Sequence, residues 1–202
     1  MKWCAVLPLV NGRYVDEVAG LELYDEAVPI SEDMFEGDID LGHDKTRNIQ
    51  TDLTYRWPEG KMNIEIDPDL STNVIGVMHQ ALRELESRSI IRFKAHDVET
   101  DFIRIFPGGG CTSMLGRMGG RQHISLASGC DGMATIMHEF THAIGVAHTQ
   151  SRPDRDDHVT IHWENIKNNY KAGHFAKRQF WLSLKSAKFE KCSIAKLYKI
   201  WR

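Results

Sequence analysis

The 202-residue chain contains no apolar run approaching the ~20 residues that a bilayer-spanning helix needs, so no membrane span is expected. It has no internal repeat and no low-complexity tract, which excludes solenoids and leaves one ordinary globular domain, with or without a short appendage. No Asn-x-Ser/Thr glycosylation acceptor is present. Cysteine is scarce, limited to Cys4, Cys111, Cys130 and Cys192. Charge of one sign is not in overall excess either. The formal net charge is -3, and nothing in that balance calls for nucleic acid as a partner.

That small net charge conceals a gradient. Residues 1–47 carry a net -7, residues 48–165 a net -5, and residues 166–202 a net +9. The breaks near 47 and 166 imply segments of different character. The opening MKWCAVLPLV has the lysine and short apolar stretch of a signal peptide, without a clear small-x-small cleavage site. A signal peptide over 1–12 and an ordinary N-terminal strand both remain open on those residues. The acidic stretch 13–36 reads as an extended or loosely helical leader. The flanks GGGC at 108–111 and SGC at 128–130 bracket a strand-like run, which favours a Cys111–Cys130 disulfide. If Cys4 leaves with a signal peptide, Cys192 is left over.

Periodicity places the main elements. KMNIEID (61–67) alternates Met62, Ile64 and Ile66 with polar residues, as a half-buried strand does. From Ser71 to Arg88, Val74, Ile75, Met78, Ala81, Leu82 and Leu85 fall at helical spacing behind N-cap candidates Asp69, Ser71 and Thr72. Strands are expected at 90–96, 101–106 and 122–128, and a second helix at about 132–145. Strands gather around helices without regular βαβ alternation, so the class is α+β.

The second helix carries HEFTHAIGVAH, residues 138–148. His138 and His142 stand four apart, on one helical face, where two imidazoles can share a metal ion. Glu139 is rotated about 100° from His138, set to face water rather than act as a ligand. Gly145 can take positive φ and end the helix, which lets His148 return as a third ligand. Three neutral nitrogens leave a fourth position on Zn²⁺ for water, whose pKa then falls to about 7. Glu139 is the candidate base that takes that water's proton and passes it to a leaving amine. Chance supplies these five fixed positions in roughly one such chain in ten thousand. By contrast, His79, His96, His123, His158, His162 and His174 are isolated and read as ordinary surface or core residues.

The longer run HEFTHAIGVAH-TQSRPDRDDHVTIHWENI resembles the astacin-like zinc endopeptidases of the metzincin group. MFEGDIDL (34–41) resembles that family's pro-segment signature at Phe35, Gly37 and Asp38. TYRWPEGKMNIEID resembles the start of its mature domain. GGGCTSMLGRMGGRQHISLASGC resembles its disulfide-flanked edge strand. The similarity covers about 34 to 180.

The resemblance implies a metzincin-type upper lobe: a twisted mixed sheet, a backing helix and a zinc-binding active-site helix, with the C-terminal lobe missing. It implies a secreted zymogen with a pro-segment at 13–47, a catalytic part at 48–180 and a basic divergent tail at 181–202. In it Asp38 would take zinc's fourth position until a trypsin-like protease cuts between Arg47 and Asn48. Read without the family, Asp38 is one solvated acid in an acidic leader. One Zn²⁺ per chain, protein or peptide substrates, and pairing of substrate with an upper edge strand at 122–127 also follow.

Three departures stand out. Thr149 replaces the acidic residue that in the family follows the third histidine and pairs with the freed N-terminus. Ile90 replaces a family cysteine. The stretch FWLSLKSAKFEKCSIAKLYKIWR shows no methionine turn, and Tyr198 is out of register for the family's zinc-binding tyrosine. A non-catalytic relative that binds zinc without turnover is therefore the alternative. A surface-binding role for the basic tail, towards polyanions or membrane, is a third reading.

Overall fold

The computed structural model describes residues 34–42, 53–157, 159–166 and 175–177, with backbone alone for 9–10, 13–16, 21–22, 53 and 165. Three short antiparallel strands, β1 (Leu9–Val10), β2 (Arg13–Asp16) and β3 (Leu21–Glu22), form a small separate sheet. The main sheet holds β4 (Ile39–Asp40), β5 (Lys61–Ile66), β6 (Arg92–Ala95), β7 (Phe102–Phe106), β8 (Cys111–Met114) and β9 (Arg121–Leu126). Its order is β4-β8-β9-β7-β5-β6. Only β8 and β9 pair antiparallel; every other neighbour pair in this sheet is parallel. The sheet is thus mixed, and with two helices the class is α+β.

Alternation along the strands turns one face inward. Met62 and Ile64 of β5, Ile103 and Ile105 of β7, and Ile124 and Leu126 of β9 are buried, while their neighbours Asn63, Arg104 and His123 are part-exposed. Helix α1 (Thr72–Arg88) starts where the Ser71 side chain accepts a hydrogen bond from the Val74 N–H at 3.3 Å. It is the crossover between parallel β5 and β6, and it buries Val74, Met78, Ala81, Leu82 and Leu85. Helix α2 (Met133–Ile144) packs against α1 and β8 through Ile136, Phe140, Ala143 and Ile144. Phe140 meets Phe93 edge-to-face, with ring centroids 5.4 Å apart. Trp57 lies in the same core.

Three expectations change. The stretch 108–130 holds two strands, β8 and β9, joined by the turn around Gly119 and Gly120 and tied by the Cys111–Cys130 disulfide. The strand expected at the sheet's edge, 122–127, is interior: β9 is hydrogen-bonded to β8 on one side and β7 on the other. The outermost strand on that side is β4 of the leader, which covers β8 by pairing Ile39 with Ser113 and Asp40 with Met114. Alternating burial alone does not say which strand lies outermost, because pairing between strands distant in sequence decides it. The expected strand at 90–96 is shorter, because Ser89, Ile90 and Ile91 make the turn out of α1.

Candidate metal centre

The C-terminus of α2 builds the site. A helix leaves its last carbonyls without intrahelical donors, and a buried end must find others. Gly145, at φ 109°, donates to the His142 carbonyl at 2.7 Å, and the Val146 N–H reaches back to the Thr141 carbonyl at 3.1 Å. That pair of bonds is the Schellman ending, which needs a left-handed residue in Gly145's place. The Gly116 N–H also donates to the His142 carbonyl at 2.9 Å, and the Trp57 indole N–H donates to the Ala143 carbonyl at 2.8 Å. Gly116 sits so close that a Cβ there would stand 2.9 Å from the Tyr55 carbonyl oxygen. The helix end is therefore well bonded, and the chain leaves it in a direction that brings His148 back beside His138 and His142.

The leader supplies the fourth side. Phe35 and Ile39 exchange backbone hydrogen bonds of 2.8 and 3.1 Å, closing a tight loop in which Glu36 and Gly37 both have positive φ, 54° and 100°. The loop is pinned from outside by Ser113, whose N–H donates to the Asp38 carbonyl at 2.9 Å. It is pinned from below by Ile39, which is buried against Leu115 and Ala147. Asp38 is thereby aimed at the histidines.

One ligand atom from each of Asp38, His138, His142 and His148 lies within 4.8 Å of every other. His138 Nε2 is 2.9 Å from His142 Nε2 and 3.2 Å from His148 Nε2. Asp38 Oδ2 is 2.9 Å from His138 Nε2, 3.2 Å from His148 Nε2 and 3.7 Å from His142 Nε2. Those five edges bracket the roughly 3.3 Å that a tetrahedron of ligands at zinc bond lengths requires.

The tautomers agree with a cation at the centre. His142 Nδ1 is 2.7 Å from the Val146 carbonyl, so it carries the proton and Nε2 presents a lone pair. His148 Nδ1 is 2.9 Å from Glu36 Oε2, which orients its Nε2 inward in the same way. Burial, with the charge of His138 beside it, lowers the pKa of His142 to about 4, so that ring is neutral. Burial pulls His148 downward too, but the charge and hydrogen bond of Asp38, with Glu36 behind, outweigh it and raise the pKa to about 10. A carboxylate enclosed by three imidazoles needs a positive charge among them. Either a proton on His148 or a metal ion can supply it, and the donor set fits a metal.

Glu139 is buried beside this cluster, 1% exposed, and its Oε2 has no hydrogen-bond partner, nor does Asp38 Oδ1. Burial, then the Asp38 charge, pushes the Glu139 carboxyl well above its ordinary range.

Of the residues singled out in the sequence, Asp38, His138, Glu139, His142 and His148 come together here, and Cys111 is bonded to Cys130. Arg47, Asn48, Cys4, Cys192 and Tyr198 lie outside the described residues. Thr149 opens a 3-10 turn just after His148. Sequence reasoning did not find Glu36, the Val146 carbonyl or the pairing of Asp40 with His123, whose Oδ2 and Nε2 are 3.2 Å apart. Glu36 was legible only as one more acid in an acidic leader. A backbone carbonyl carries no side-chain signal at all.

Comparison with known proteins converges on the same place. Residues 49–198 match the family model of the Astacin peptidases, a span that runs on into the basic stretch beyond residue 180. Human meprin A subunit beta is 39% identical over 153 residues, covering 75% of this chain and 22% of the relative. Zinc metalloproteinase nas-15 of Caenorhabditis elegans is 34% identical over 168 residues, covering 73% of this chain and 29% of the relative. This chain thus spans less than a third of either. Among solved structures, the hatching-enzyme zinc-protease HCE-1 of Oryzias latipes superposes with a TM-score of 0.55 at 35% identity, covering 61% of this chain and 63% of that one. The mixed sheet, the ordered zinc-type motif and the matched span agree: the chain belongs to the astacin family of zinc metallopeptidases.

Proposed function

We propose that this protein is a secreted zinc endopeptidase made as a proenzyme, with one Zn²⁺ per chain held by His138, His142 and His148. The observation that carries the reading is the convergence of Asp38, from the leader, on three imidazoles that otherwise belong to a single helix-and-turn motif. When bound, zinc would supply Lewis acidity, acidifying a water and polarising a scissile carbonyl.

The chain's own residues do the rest. Asp38 occupies the position a water would need, and β4 covers the β8 edge, so the leader blocks both the chemistry and the substrate's seat. Cleavage between Arg47 and Asn48 by a trypsin-like protease would release both. An extended peptide then adds to β8, its backbone held by the N–H and C=O groups that β4 vacates. Glu139 accepts the proton of the attacking water and delivers it to the leaving amine. Its unpartnered, buried Oε2 is suited to that task, because a carboxyl in a desolvated site holds a proton more readily than one in water. The Cys111–Cys130 disulfide supports export, since such bonds persist in oxidising compartments.

The test is proteolysis of an unfolded protein by zinc-loaded chain cut after Arg47, beside its Glu139→Ala counterpart. Hydrolysis should fall by roughly 10²- to 10⁴-fold in the variant, with zinc content unchanged. Equal hydrolysis by both removes Glu139 from the mechanism. Silence from both at one zinc per chain makes this a zinc-binding, non-catalytic relative.

A further inference from the structure

We infer that Glu36 is a positioning residue for the metal site, so the leader strengthens zinc binding through His148 in addition to capping the site with Asp38. The inference rests on the zinc reading above. Its geometry is local. Glu36 and His148 are both buried, and Glu36 Oε2 lies 2.9 Å from His148 Nδ1. On the opposite side of the same ring, Asp38 Oδ2 lies 3.2 Å from His148 Nε2. Two leader carboxylates therefore grip one imidazole by its two nitrogens.

The backbone is shaped for this. Successive positive φ values at Glu36 and Gly37 fold the loop so that residues 36 and 38 reach the same ring from its two sides. A non-glycine residue rarely holds that conformation unless its surroundings impose it. Here the Phe35–Ile39 bonds and the buried Ile39 impose it.

The two anchored histidines differ in where their anchors come from. His142 Nδ1 donates to the Val146 carbonyl, which stays with the catalytic part of the chain. His148 Nδ1 donates to a residue that leaves with the leader. A charge-assisted bond to a carboxylate fixes the ring's rotation and tautomer and makes Nε2 more basic, which raises metal affinity. The intact chain should accordingly hold zinc more tightly than the processed one, for a reason separate from the loss of Asp38 as a ligand.

The experiment uses the intact chain and zinc alone. Zinc affinity is measured by competition with a chromophoric chelator for the parent, Glu36→Ala and Glu36→Gln, beside the melting temperature of each metal-free form. Glu36→Ala should weaken zinc by about 10- to 100-fold, and Glu36→Gln, which keeps a weaker neutral acceptor, by several-fold. Lower melting temperatures with unchanged zinc affinity would assign Glu36 a merely structural role and overturn the proposal. If Glu36→Ala does not fold, Glu36→Gln decides, and an affinity within about twofold of the parent overturns it. Failure of the parent itself to bind one zinc would instead sink the zinc reading.

Discussion

The leader's grip on the candidate metal centre can be measured through a single residue, Ile39. It is 0% exposed and packs with Leu115 and Ala147, while Phe35 and Leu41 close over the same small cluster. Ile39→Ala removes three carbon atoms. At about 0.8 kcal/mol per buried methylene, that is a loss of roughly 2.4 kcal/mol before any cavity is counted. Because the cluster is small and lies at the sheet's edge, it can partly collapse, so about 2–3 kcal/mol is expected, towards the low end for such truncations. None of that energy belongs to the main core, which Ile39 does not enter. The loss therefore falls on local opening of the leader, and the open population should rise roughly 30- to 150-fold.

Ser113 reports the opening. Its N–H donates to the Asp38 carbonyl at 2.9 Å, across the β4–β8 seam. The Asp67 N–H, which donates to the Ile105 carbonyl at 2.8 Å between β5 and β7, is the internal control. Amide hydrogen exchange in Ile39→Ala should accelerate at Ser113 by that factor and leave Asp67 within a few-fold of the parent. Unchanged exchange at Ser113 would mean the buried isoleucine does not hold the leader. Equal acceleration at both amides would mean the leader and the sheet open as one unit. Either result refutes the reasoning.

Two further outcomes can be checked directly. Gly145→Ala forces a side chain into φ 109°, a conformation that costs an alanine about 1–2 kcal/mol, and it moves the turn that returns His148. A lower melting temperature together with weaker zinc binding is expected, the first by calorimetry and the second by chelator competition. Asp101 accepts from the Gly120 N–H and pairs with Arg117, and the backbone bond first, then the guanidinium, holds its pKa below the ordinary 3.8. A carboxyl depressed in the folded state contributes stability that is present above its unfolded pKa and is lost as pH falls through its folded pKa. The melting temperatures of the parent and Asp101→Asn should therefore differ most above about pH 4 and converge below it. A difference independent of pH would show that the carboxylate's charge is not what matters.

Much of this molecule was legible from residue order alone. The helical spacing from Val74 to Leu85 placed α1, and the i, i+4 histidines with Gly145 behind them pointed to three imidazoles that come together, because both signals are local. A helix brings His138 and His142 together whatever surrounds it, and a left-handed glycine turns the chain wherever it ends a helix. Cys111 and Cys130 were pairable because turn-rich flanks enclosed them. That β8, and not β9, is the strand β4 covers was not legible, since it depends on which partners each finds across the sheet. The resemblance of MFEGDIDL to a pro-segment suggested Asp38; its place among the imidazoles comes from a parallel pairing between residues 39–40 and 113–114. Glu36 was invisible for the same reason. Its role exists only where a left-handed loop from one end of the chain meets an imidazole 112 residues away, and no local pattern encodes that meeting.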